Sequence, residues 1–276
     1  MNLWFAVFVI TVCVVIVLVI VYFARKRVPG GGLFTDSNWA AAAFGVLGTS
    51  FAVLLAFVIF LAFESYANAK ERSSAEAVAV TELYRDAKLF SDPTGSEVRG
   101  QLICYARAVI HDEWPAMREQ RTSPPVEKWI ERLDATVDAA SLAGSRQEIG
   151  YSSWLDRMVE RREGRRGRLG EAAPFVPAPL WAMLLVAAAL LIGYMCLYAD
   201  PSEKFFVQAF VIGALAAVTI AGILIVKFLD KPYEGQAGSI RPVEMTRTLA
   251  LMEEQRELTH QPTAVPCDNR GIPLDA

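Results

Sequence analysis

The residues able to do chemistry fall into a few groups. His111, Asp112 and Glu113 stand side by side, and Arg157, Arg161, Arg162, Arg165, Arg166 and Arg168 crowd one short run. Glu76 and Glu82 flank an Ala-rich stretch, six residues apart. Histidines and carboxylates bind metals, paired carboxylates do acid–base work, and arginines hold anions. Spacing narrows each option. Consecutive helical residues point about 100° apart, so His111-Asp112-Glu113 reads as a polar patch rather than a metal site. Glu76 and Glu82 either pair with the Arg run or lie on a solvated face. Arg161, Arg162, Arg165, Arg166 and Arg168 either contact anionic lipid headgroups or serve only as a topology signal. With two His in the chain, no Ser-His-Asp order and no Gly-rich phosphate loop after a strand, no catalytic residue, metal or cofactor is expected, and the chain does not read as an enzyme.

Composition places these residues in a membrane protein. Hydrophobic residues make up 54%, mean hydropathy is +0.31, and the net charge of -3 calls for no nucleic-acid partner. The apolar excess sits in four blocks, Leu3 to Phe23, Ala40 to Phe63, Val176 to Tyr198 and Phe205 to Val226. Each reaches the roughly 20 residues needed to cross a hydrocarbon core of about 30 Å. The first ends in Arg25-Lys26-Arg27 rather than small residues, so it reads as a retained span. Pro29-Gly30-Gly31-Gly32 and Asp200-Pro201 punctuate two membrane hairpins, residues 1–63 and 174–231. Span two carries Gly45, Gly48, Ala52 and Ala56 at helical spacing, a small face suited to helix packing.

Between the hairpins, residues 64–173 read as an all-helical domain with no strand alternation. From Phe51 to Phe90 there is neither Pro nor Gly, so span two is expected to continue into this domain as one helix. Further helices begin near Thr94, carry Trp129 to Val137, and follow Gly144. Residues 232–276 hold a helix over Val243 to Leu258 and, from Thr259, a tail expected to be disordered. The four Cys form no CxxC pair and two lie in membrane blocks, which argues against a disulfide framework. Ten basic residues near the spans on the domain side stand against four on the other, placing the domain and both termini in the cytoplasm of an inner-membrane protein.

Several motifs in order carry a resemblance. They are Tyr66, Arg72, Glu76-Ala77-Val78-Ala79 and Leu83-Tyr84-Arg85, then Tyr105-Ala106-Arg107, Glu113-Trp114, Arg168-Leu169, Pro177 to Trp181, and Leu229-Asp230-Lys231-Pro232-Tyr233-Glu234-Gly235. Over residues 40–255 the chain resembles the bestrophin-like domain family of bacterial membrane proteins. That likeness implies the plan of bestrophins: pentameric ion channels with four spans, a cytoplasmic helical domain between spans two and three, and span two lining the pore neck. No bestrophin pore or calcium-site motif is matched.

Val53, Phe57, Phe60, Glu64 and Asn68 share one stripe of the span-two helix. As a pore face, Phe57 and Phe60 would form hydrophobic rings and Glu64 a charged mouth favouring cations, whereas the bestrophin analogy points to anions or low selectivity. As a packing face, the same residues would meet span three or lipid. The leading expectation is an oligomeric, ion-conducting channel, with lipid and inorganic ions as partners. The alternative is a non-conducting scaffold or signalling protein whose helical domain docks a partner.

Overall fold

In the computed structural model of the chain, residues 3–27, 34, 36–140, 145–197, 203–259 and 264–274 are described. The Pro29–Gly32 linker, the Gly144 break, the Asp200-Pro201 turn and His260 lie outside them. Among the described residues all regular structure is helical, apart from one isolated bridge between Cys267 and Pro273. The helices are α1 (Leu3–Arg27), α2 (Ser37–Asp86), α3 (Thr94–Ala108), α4 (Trp114–Met117), α5 (Pro124–Asp138), α6 (Ser145–Gly170), α7 (Ala178–Leu197), α8 (Phe205–Leu229) and α9 (Val243–Leu258).

The 50-residue α2 is the longest. Asp36 starts it by accepting the Asn38 and Trp39 N–H groups at 3.0 and 3.1 Å, which satisfies two orphan donors of the first turn. No breaker interrupts it until a 3₁₀ turn at Ala87–Leu89.

The chain divides into two compact units. The first comprises Met1–Tyr66, Pro174–Lys231 and Gln236–Gly238. It holds four helices long and apolar enough to cross a membrane: α1, the apolar part of α2, α7 and α8. Between such helices close packing, not water exclusion, supplies the attraction. Gly213 of α8 lies against Val14 and Leu18 of α1, and Gly222 lies against Leu55 of α2. Phe51 packs with Ala188 and Leu191, and Val58 with Leu184 and Val226. Gln208, a polar residue within α8, accepts a hydrogen bond from Arg25 at 2.5 Å. Asp230 receives the Val176 N–H at 2.7 Å and the Trp181 indole at 3.3 Å, tying the entry of α7 to the exit of α8.

The second unit comprises Ala67–Ala173, Pro232–Gly235 and Ser239–Ala276. Leu102, Ile103, Trp129 and Leu133 of α3 and α5 are fully buried, and each of the three aliphatic side chains is worth about 1.5–3 kcal/mol of transfer free energy. Between α3 and α4 the helix widens into a π turn, Val109–Glu113, immediately before Pro115. A proline within an α-helix leaves one ladder bond unmade, and the wide turn turns Glu113 and Trp114 both inward.

Two expectations are corrected in this unit. Cys104 and Cys267 form a disulfide across 163 residues of sequence, which the lack of a spacing motif concealed. The tail is not disordered over residues 264–274. The Trp129 indole donates to the Gly271 carbonyl at 2.6 Å, and Arg107 donates to the Asp268 carbonyl at 3.2 Å. Gly271 has a positive φ of 80° and presses against the Ala108 backbone, leaving no room for a Cβ. A docked tail with few apolar residues is possible because a covalent link and backbone hydrogen bonds replace core burial.

Closing a loop of this length contributes at most about 5 kcal/mol in the chain-entropy picture. Cys267→Ser is expected to lower the thermal midpoint of the detergent-solubilised protein and to speed amide exchange of residues 264–274. Unchanged exchange there would show that the tail holds without its bond.

Candidate functional site

Two constellations stand out, one exposed and one buried. The exposed one is the α2 stripe. Val53, Phe57 and Phe60 of the first unit are 52%, 64% and 64% exposed in the single chain, and Glu64 is exposed beside them. Asn68, farther along α2, is exposed as well. The opposite face, with Phe51, Val58 and Ala62, is buried. Packing within the chain therefore does not consume the stripe. Gly45, Ala52 and Ala56 are also exposed, and a Cβ at Gly48 would lie 3.8 Å from Leu191. Within the first unit, the glycines in close contact with other helices are Gly213 and Gly222 of α8.

The buried constellation lies in the second unit. It is built from α2, α3, the π turn and α6. Arg168 has no exposed surface. It donates to Glu76 at 2.6 and 3.0 Å and to Glu113 at 2.5 Å, and stands over the Trp114 ring at 5.1 Å. Arg165 bridges Glu113 at 2.5 Å and Glu127 at 2.8 Å. The Tyr105 hydroxyl donates to Glu76 at 2.7 Å. Sequence explains how α6 comes so close. Gly164 lies against the Glu76 backbone and Gly167 against the Arg72 side chain, and a Cβ at Gly164 would sit 2.7 Å from Glu76 N. Spacing of three and four residues then carries Arg161, Arg165 and Arg168 on one side of α6.

Electrostatics follow from this burial. Desolvation alone would raise the Glu113 pKa, but the charge of Arg168 and the hydrogen bonds and charge of Arg165 outweigh it, and the carboxyl is held below its usual value. Burial disfavours the Arg168 cation, yet Glu76 and Glu113 raise its pKa above the ordinary arginine range. Burial and the Glu76 charge push the Tyr105 phenol up, so it remains a hydrogen-bond donor.

These positions revise the reading of the arginine run. Arg161, Arg165 and Arg168 are buried, and the last two are committed to carboxylates. Arg162 and Arg166 remain exposed. Of the two readings of Glu76, the ion pair is the one observed, whereas Glu82 forms an exposed pair with Arg85. The three neighbours His111, Asp112 and Glu113 diverge. Asp112 accepts from Ser123 at 2.6 Å, Glu113 meets the arginines, and His111 is exposed. Tyr233 had no assigned role in the sequence reading. Its hydroxyl donates to the Ala69 carbonyl at 3.0 Å and its ring meets Trp114 edge to face.

Among the described residues the regular structure is helical, and four helices are long and apolar enough to cross a membrane. A model of the bestrophin-like domain matches residues 10–244, and the chain belongs to that family. Solved structures of a bacterial bestrophin homologue from Klebsiella pneumoniae are similar. A Trp-to-Ala variant has a TM-score of 0.70 at 13% identity, covering 93% of this chain and 98% of that one. An Ile-to-Thr variant gives 0.66 at 14%, covering 89% and 99%. The form phased with zinc gives 0.62 at 14%, covering 92% and 100%. At such identity the likeness establishes the fold. No curated protein matches the chain.

Removing one partner of a buried ion pair costs about 3–5 kcal/mol. Arg168→Met, which leaves Glu76 and Glu113 without their shared cation, should lower stability by about that amount in chemical denaturation. The Glu113 carboxyl has a depressed folded-state pKa. Its contribution is complete above the unfolded value of about 4.3 and is lost as pH falls through the folded value. The melting temperature should therefore drop on acidification below about pH 5, and less steeply in Glu113→Gln than in the parent. Parallel profiles would remove Glu113 from this role.

Proposed function

We propose that the chain forms a closed homo-oligomer, a pentamer by analogy with bestrophins, that conducts inorganic ions along an axis lined by α2. The observation that carries this reading is the α2 stripe. An apolar stripe ending in a carboxylate is left uncovered on α2, whose other side is packed against α7 and α8. In a ring of subunits, Phe57 and Phe60 make hydrophobic constrictions that gate by dewetting, and Glu64 makes a carboxylate ring that favours cations. The exposed Gly45, Ala52 and Ala56 supply a small surface for the neighbouring subunit's helix. Membership of the bestrophin-like family supports a channel-like role. The second unit acts as the gating element.

The positive-inside bias puts the second unit and both termini in the cytoplasm of the inner membrane. Cytosolic reductants keep thiols free. The Cys104–Cys267 bond of the second unit therefore bears directly on this orientation. A bond found intact after alkylation in freshly lysed cells would put the unit on the opposite face.

In liposome flux assays, Phe57→Ala with Phe60→Ala should raise ion flux at least severalfold by widening and wetting the constriction. Glu64→Gln should shift the reversal potential away from that of cations. A parent protein that is monomeric in lipid, or fluxless with both phenylalanine variants equally silent, would overturn the proposal.

A further inference from the structure

One buried cation in the second unit is left out of the Glu–Arg lock. Arg161 is 1% exposed, yet its Nε and Nη2 atoms have no hydrogen-bond partner. Its Nη1 reaches the Tyr105 hydroxyl only at 3.5 Å, the outer limit of a hydrogen bond, and its guanidinium stands over the Tyr105 ring at 5.2 Å. Among the described residues no carboxylate forms an ion pair with it. An ionised group this deeply buried is costly unless an opposite charge meets it. Arg161 lines a cavity of about 350 Å³ between α5 and α6, together with Arg162, Arg165, Arg166, Glu127 and Leu169. Among the described residues Glu127 is the one carboxylate of that lining and is held by Arg165, while Arg162 and Arg166 are exposed and form no ion pair.

We propose that this cavity is a binding site for a phosphate group, with Arg161 at its floor and Arg162 and Arg166 at its rim. Guanidinium groups match the oxygen geometry of phosphate, and those of Arg162 and Arg166 are exposed at the cavity, with the buried positive charge of Arg161 beneath them. The volume lies at the small end of the range for organic ligands and is far larger than a bare halide requires. The Leu169 and Ile130 side chains give the organic part of a phosphoester an apolar wall. Arg165 contributes positive field but has its donors committed to Glu113 and Glu127. The phosphate comes either from a lipid headgroup or from a free phosphate species. Sequence proximity favours the lipid, since α7 begins at Ala178, 12 residues after Arg166.

The test uses the full chain in detergent. Thermal stability and native mass spectrometry are followed with inorganic phosphate, short-chain phosphatidylglycerol and short-chain phosphatidylcholine, with chloride at equal ionic strength as control. The parent is expected to bind phosphate or phosphatidylglycerol and to be stabilised by it. The double variant Arg162→Ala with Arg166→Ala, which removes only exposed side chains, should bind at least tenfold more weakly with an unchanged ligand-free midpoint. Arg161→Met should abolish binding. Binding of inorganic phosphate identifies a free-phosphate site, and retention of phosphatidylglycerol alone identifies a headgroup site. If neither phosphate nor phosphatidylglycerol binds better than chloride and phosphatidylcholine, the site is overturned. The same holds if affinity survives the exposed double variant.

Discussion

Two carboxylates and an arginine with no exposed surface hold the second unit to a single arrangement. Glu76, Glu113 and Arg168 come from α2, the π turn and α6. Removed from water, none of the three charges is tolerable alone, because desolvation costs several kcal/mol per ion and only well-placed partners offset it. The helices must therefore converge on one register. Glycine at 164 makes that convergence sterically possible, and the wide turn before Pro115 brings Glu113 to the meeting point.

The same run of arginines serves different ends according to depth. Arg168 and Arg165 are spent on carboxylates. Arg161 is equally buried but chemically unfinished, and Arg162 and Arg166 face outward. A helix turns about 100° per residue, so five basic residues within eight positions cannot share one environment. A charge count treats them as one signal, whereas their physical roles diverge.

Much of the architecture was readable from local sequence. The absence of Pro and Gly between Phe51 and Phe90 corresponds to one helix that reaches Asp86, and the Val243 to Leu258 helix is found over those residues. Apolar blocks of about 21 to 24 residues correspond to the four helices long enough to span. The candidate sites were harder to read. Glu76 was recognised as a possible partner of the arginines, but no pattern in the sequence separates a buried Glu from a solvated one on an amphipathic helix. Tyr233 stood in a motif that carried the resemblance but had no role assigned, and Gly164 gave no signal, since their roles are contacts with residues far away in sequence.

What the sequence determined by itself is what depends on composition and on near neighbours: membrane residence, helical class, helix ends and the continuity of α2. Those properties follow from transfer free energy and backbone propensity, which act within a few turns. Tertiary structure decided which arginines turn inward, that Cys104 finds Cys267 across 163 residues, and that the tail docks on Trp129. It also left the Val53–Phe57–Phe60–Glu64 stripe uncovered while burying the opposite side of the same helix. Each of these is set by which surfaces meet in three dimensions, and a pairing between distant residues leaves no periodicity in the chain that encodes it.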